Sequence, residues 1–187
     1  MSKKIIIKNG VEGIFHPNGG GFVALTATVD STAYVGDEAC VLDDAKVLNK
    51  AKISGAAKIY GNARIYENAK ISGDARIFEK ARVYGDAWVF GYAKVYGDAE
   101  IYGDAKVSGD AKVYEEARVF ENAQIYENAQ VYGDAWLYGE VQIYGKCHIF
   151  ENAEVSGHAE IFGDARIFGF TEIFQDEKIS TGQKNEE

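Results

Sequence analysis

From Ala27 to Gly182 the chain is one six-residue repeat with no interruption, 26 consecutive hexads. The consensus is Ala–x–Ile/Val–Tyr/Phe/Ser–Gly/Glu–Asp/Asn, as in Ala93-Lys94-Val95-Tyr96-Gly97-Asp98 followed by Ala99-Glu100-Ile101-Tyr102-Gly103-Asp104. The third slot is Ile, Val or Leu in every hexad. The first is Ala in 22, the exceptions being Val141, Cys147, Thr171 and Glu177. A period of six matches neither the roughly 3.6-residue helical turn nor the heptad, so amphipathic helices are excluded. It does match a short strand, in which slots one and three point inward and slots two and four outward. Gly or Glu followed by Asp or Asn then turns the chain. One strand and one turn cannot bury their own apolar face, so the repeats must stack, at about 4.8 Å per rung.

This pattern resembles the hexapeptide repeat of left-handed parallel β-helix proteins. There an aliphatic residue is followed four positions later by a small one, as Ile59 is by Ala63 and Val95 by Ala99. The resemblance covers about five-sixths of the chain and implies an all-β, single-stranded β-solenoid with three hexads per triangular coil. The fourth slot tests the 18-residue coil. Ser stands there at positions 54, 72, 108, 156 and 180, and four of the five lie multiples of 18 apart. Twenty-six hexads then give about 8.7 coils and a rod on the order of 40 Å long.

The expected organisation is an N-terminal hairpin and loop cap over residues 1–20, the β-helix over 21–180, and a disordered tail over 181–187. Ile5-Ile6-Ile7 and Val11 to Phe15 flank Asn9-Gly10, a strong two-residue turn signal. A cap is needed because open strand edges invite other chains. The single proline, Pro17, lies in the cap, as suits a fold built from backbone ladders. Two cysteines make no disulfide framework; Cys147 reads as a small core residue and Cys40 falls in an outward slot. No signal peptide and no membrane-spanning run are evident, which points to the cytoplasm of a bacterial cell, or of the host for a phage protein.

Outward residues fall into three 18-residue columns. One face carries Tyr60, Phe78, Tyr96, Tyr114, Tyr132, Phe150 and Phe168, with Lys58, Arg76, Lys94, Lys112, Gln130, His148 and Arg166 beside them. A second carries Tyr66, Tyr84, Tyr102, Phe120 and Tyr138. Stacked rings stiffen a parallel sheet. A continuous aromatic face is also a candidate interface for self-association or a protein partner. The binding candidates are therefore Tyr60, Arg76, Phe78, Lys94, Tyr96, Lys112, Tyr114, Tyr132, His148 and Phe150. The formal net charge of −9 argues against nucleic acid despite the basic slots. Asp98, Glu116 and Asp134 share a corner column and read as solvated turns, with no metal site assigned.

Many proteins with the left-handed β-helix are trimeric acyltransferases that use acyl-CoA, with a catalytic His acting as general base and often a loop interrupting the repeat. Here the register is never broken, and the histidines are only His16, His148 and His158. No catalytic residue is assigned; His148 would be the candidate. The chain also resembles the very regular bacterial and phage repeat proteins that are labelled acetyltransferases by fold analogy, a weak warrant. The expectation is a non-catalytic structural, self-assembling or protein-binding module without a cofactor, including an inhibitor-type binder encoded by a phage. The alternative is a trimeric acyl-CoA-dependent transferase. An ice-binding face would need flat arrays of short hydroxylated residues, whereas these faces carry Tyr and Lys.

Overall fold

The computed structural model describes residues 5–186. Parts of the expected cap (residues 1–4) and of the expected tail (Glu187) lie outside the described residues. Among the described residues all regular structure is strand, and most strands are two residues long. Nearly every hexad extends only over its second and third slots, as in Lys94–Val95 and Lys112–Val113; Arg166–Gly169 runs longer. Successive hexads pass to successive sheets, and from Phe22 to Ile179 every third strand pairs in parallel, 18 residues on. The result is a three-sided β-solenoid of about nine coils with two nine-stranded sheets and one of twelve. Here face A is the side bearing Lys58, Arg76 and Lys94. Face B bears Arg64, Arg82 and Glu100, and face C bears Lys70, Trp88 and Lys106. Four of the fourth-slot serines (54, 72, 108 and 180) follow strands of face C, and Ser156 follows one of face B.

The core is a column of alternating Ala and Ile/Val/Leu. From Ala33 to Ile167 every first- and third-slot residue is fully buried. Cys147 packs there as a small core residue, its Sγ 3.7 Å from the Ile161 carbonyl, and burial pushes its thiol up to about 12. Thr171 keeps an inward slot because its hydroxyl donates to the Phe168 carbonyl at 2.7 Å.

Backbone donors are shared out slot by slot. The second, fourth and sixth N–H groups donate to the coil below, as Lys94 does to Ala111 O (2.9 Å), Tyr96 to Val113 O (3.0 Å) and Asp98 to Glu115 O (2.8 Å). The fifth residue is left-handed at every corner from Asp43 to Gln175, whether glycine or not. At many corners a side chain in the coil above accepts its N–H. Gly97 N–H donates to Glu79 Oε2 and Gly133 N–H to Glu115 Oε2, both at 2.8 Å. Gly97 shows why the acids alternate with glycine down this column. Its φ is +72°, and a Cβ there would sit 2.6 Å from the Glu115 nitrogen. The column accordingly reads Asp43, Gly61, Glu79, Gly97, Glu115, Gly133, Glu151, Gly169. Each acid reaches over a glycine, and like charges never occupy consecutive rungs.

A contrast between two substitutions follows. Glu115→Ala should lower stability by about 1 kcal/mol, the net worth of one hydrogen bond. Glu115→Gly loses the same bond but recovers about 1 kcal/mol of left-handed backbone strain, and should come out near neutral. Urea midpoints of the two variants check this; an unchanged Glu115→Ala midpoint would remove the carboxylate's role, and equal losses in the two would remove the strain relief.

The ends are closed differently. At the N-terminus β1 (Ile6–Lys8) and β2 (Val11–Phe15) form an antiparallel hairpin, with Asn9 and Gly10 at φ +52° and +80° as a primed turn requires. β2 then pairs antiparallel with β3 (Phe22–Ala24), which begins the parallel ladder on Cys40–Val41. The hairpin also changes the environment of Cys40. Although it sits in an outward slot, it is only 8% exposed, with Lys8 Nζ 3.6 Å from its sulfur. At the other end, the tail expected to be disordered carries a strand instead. Gln183–Glu186 pairs in parallel with Arg166–Gly169. The reason is that the last rung of face A offers unpaired backbone, and Lys184 reaches Glu177, which occupies an inward slot, at 2.9 Å. A charge at an inward position closes the core against further stacking.

Candidate functional site

The fourth slot follows the extended pair, so its side chains stand over one another at the rung spacing. On face A all seven expected rings stack in one unbroken column from Tyr60 to Phe168, with centroids 4.8–5.1 Å apart and planes within 10°. On face B five rings from Tyr66 to Tyr138 do the same. On face C only Tyr126, Tyr144 and Phe162 are continuous. The rings are half-buried, because each covers its neighbours. They are therefore first a structural spine, and secondarily a surface.

The structure brings the ten candidate residues together on face A. Tyr60, Phe78, Tyr96, Tyr114, Tyr132 and Phe150 form the ring column. Arg76, Lys94, Lys112 and His148 lie in the strand column beside it. Arg166 lies over the Phe150 ring at 5.3 Å, and His148 meets Tyr132 edge-on at 6.1 Å. Burial, aided by the Arg166 and then the Lys112 charge, holds the His148 imidazole below its ordinary value. It is thus neutral near pH 7 and sits among cations and rings. A shallow groove of about 430 Å³ runs between the corner and this strand column, lined by Tyr92, Lys94, Asp110, Lys112, Asn128 and Gln130.

The other histidines are placed differently. His16 is buried in the cap and accepts the Asn18 N–H at Nδ1 (3.3 Å). It lines a cavity of about 390 Å³ with Ile14, Pro17, Val23 and Leu25. His158 lies at a corner between Glu140 (3.7 Å) and Asp176 (3.6 Å), one coil on either side. Of the corner acids, Asp98 pairs with Lys80 at 3.7 Å. Among the described residues no group of three or more His, Cys, Asp or Glu is placed to hold a metal ion. Among the described residues no helix is long and apolar enough to cross a membrane.

Sequence reasoning did not single out several exposed aromatic side chains that lie outside the continuous ring columns. Tyr92 occupies a corner and Phe170 and Phe174 lie near the last coil, each more than half exposed. Trp88 and Trp136 stand in strand columns. Trp88 donates its indole N–H to Ser72 Oγ at 3.1 Å, filling the gap that serine leaves in the face C ladder. The Trp136 ring lies under Arg118 at 5.0 Å.

A family model described as the YdcK beta solenoid repeat matches residues 123–139, nearly one full coil. That segment supplies one ring to each face: Tyr126, Tyr132 and Tyr138. The match agrees with the observed architecture, a β-solenoid repeat protein. No curated protein matches the chain.

Proposed function

We propose that this chain is a non-catalytic solenoid module that works by holding protein against its ring-backed faces. The observation that supports this reading most is the unbroken register. From Ala27 to Gly182 no inserted loop departs from the hexad, so every outward position belongs to a ladder or a corner. Active sites usually break local rules, and this chain breaks almost none. Face A is basic along most of its length, with five Lys or Arg in its strand column between Lys58 and Arg166 and no acid among them. Two copies of face A would repel one another, so the partner that fits it is an acidic protein surface.

Two probes test this. Acetyl-CoA titrated into the protein by calorimetry should give no binding heat. A labelled poly-glutamate peptide should bind at low salt and weaken as salt is raised. The Lys94→Glu, Lys112→Glu double variant should lower that affinity by at least about tenfold, or 1.4 kcal/mol. Acetyl-CoA binding by a trimer would overturn the reading in favour of an acyltransferase. Equal peptide binding by the variant would remove face A as the contact surface.

A further inference from the structure

We propose that face B is a self-complementary interface, through which two copies of this chain pack side by side with their long axes antiparallel. The inference rests on the reading that the faces hold protein, and it names the partner for one of them. Unlike face A, the strand column of face B changes sign along the rod. Lys46, Arg64 and Arg82 stand on consecutive rungs in its N-terminal half, all exposed. Glu154 and Glu172 stand on consecutive rungs near its C-terminal end. Like charges directly opposite one another in a ladder are destabilising. This face carries such a stack at each end, and the two stacks have opposite signs.

A two-fold axis lying in the interface, parallel to the strands and passing between the Glu100 and Arg118 rungs, cancels both stacks. It reverses the rod axis but keeps each strand column opposite its own counterpart. Lys46 then faces the second copy's Glu172, and Arg64 faces its Glu154. Nearer the axis Arg82 faces Trp136, a cation over an indole, and Glu100 faces Arg118. All four pairings are complementary, and the symmetry makes each occur twice. Sheets packed face to face lie about 10 Å apart, within reach of opposed Arg and Glu side chains. The ring column lies alongside and is carried through the same operation. Tyr84 comes opposite Tyr138 and Tyr102 opposite Phe120, which supplies an apolar strip beside the charges. From Lys46 to Glu172 the strip covers eight rungs, seven spacings or about 34 Å. At the centre Arg82 is already held by Glu100 at 2.7 Å, and Arg118 lies over Trp136. These contacts pre-order the middle of the surface, so less side-chain freedom is lost on association.

The test is a charge swap read as molar mass by light scattering at low salt. The wild-type chain should give about twice 20.5 kDa. Lys46→Glu with Arg64→Glu, and separately Glu154→Lys with Glu172→Lys, should each run as monomers, because each sets like charges opposite like. An equal mixture of the two variants should recover the dimer mass, since every altered pair is again opposite in sign. The variant carrying all four substitutions should dimerise alone. Far-UV circular dichroism confirms that each remains folded, as these side chains are outside the core. A wild-type monomer, a variant that dimerises like the wild type, or a mixture that stays monomeric would each overturn the inference. A dimer untouched by the swaps would overturn this interface alone, whereas acetyl-CoA binding by a trimer would overturn the functional reading itself.

Discussion

Deleting residues 111–128 should leave a folded rod shorter by one coil, whereas deleting 111–129 should not leave a folded rod beyond the junction. The first deletion removes three complete hexads, so Asp110 joins Ala129 and every later residue keeps its face. Tyr96 comes to stack on Tyr132 and Tyr102 on Tyr138. The corners then bring Gly97, Gly103 and Gly109 over Gly133, Gly139 and Gly145, an arrangement the native chain already uses where Gly55 precedes Gly73. In a solenoid each coil contacts only its neighbours, so the loss is one coil's share. The urea m-value should fall by roughly one-ninth, in proportion to the surface buried. Removing one residue more joins Asp110 to Gln130 and slips the register. A one-residue slip turns every side chain to the opposite face. Gln130 and Tyr132 would point into a core sized for Ala and Ile, and Val131 would face solvent. Melting by circular dichroism with limited proteolysis separates the two variants. Similar melting of both would mean that the corners absorb register errors.

That contrast also marks what was legible in the sequence. Inward and outward positions are set by neighbours two residues apart, so Ala93 and Val95 announce the core without reference to any other coil. The hairpin was legible for the same reason, because Asn9-Gly10 is a local signal. What escaped lies 18 residues away or at an end. Glu115 reads locally as a turn residue; its work is to accept the Gly133 N–H in the next coil. Cys40 reads as outward, and only the hairpin folding back with Lys8 covers it. Gln183 to Glu186 has no apolar alternation. It becomes a strand through backbone pairing with Arg166–Gly169 and through the Lys184–Glu177 pair.

The candidate face was legible as two columns of residue types, but not as a surface of given depth. Spacing places Tyr96 beside Tyr114; it does not say that rings 4.8 Å apart half-bury one another. The sign change along face B is equally invisible within any single hexad. It emerges when Lys46, Arg64, Glu154 and Glu172 are set on one sheet.

The ring columns should also make the fold fail at alkaline pH, and steeply. Nine tyrosines in the ladders hold their protons above the ordinary value of 10.0. For Tyr114 burial in the stack pushes the phenol up to about 12, helped by Tyr132, Tyr96 and Glu115. For Tyr138 the hydrogen bond to Glu154 is the largest cause. An unfolded chain ionises these phenols near pH 10, while the folded rod still keeps them neutral. In that window the unfolded state binds fewer protons, so stability falls as pH rises. The stabilising contribution is complete below about pH 10 and is lost as pH climbs through the folded-state values. Because the nine groups shift in the same direction, their slopes add. Replacing Tyr96, Tyr114 and Tyr132 with Phe keeps the stack and removes three of the ionising groups. At pH 8 that variant should match the wild type to within about 1 kcal/mol, since rings carry most of the ladder energy. At alkaline pH it should unfold later, with a shallower dependence. Urea titrations between pH 8 and 12, followed by far-UV circular dichroism and phenolate absorbance, measure both quantities. A wild-type stability that stays flat across this range, or a variant with the same alkaline midpoint, would show that the stacked phenols ionise as freely as exposed ones and that the ladder does not shield them from water.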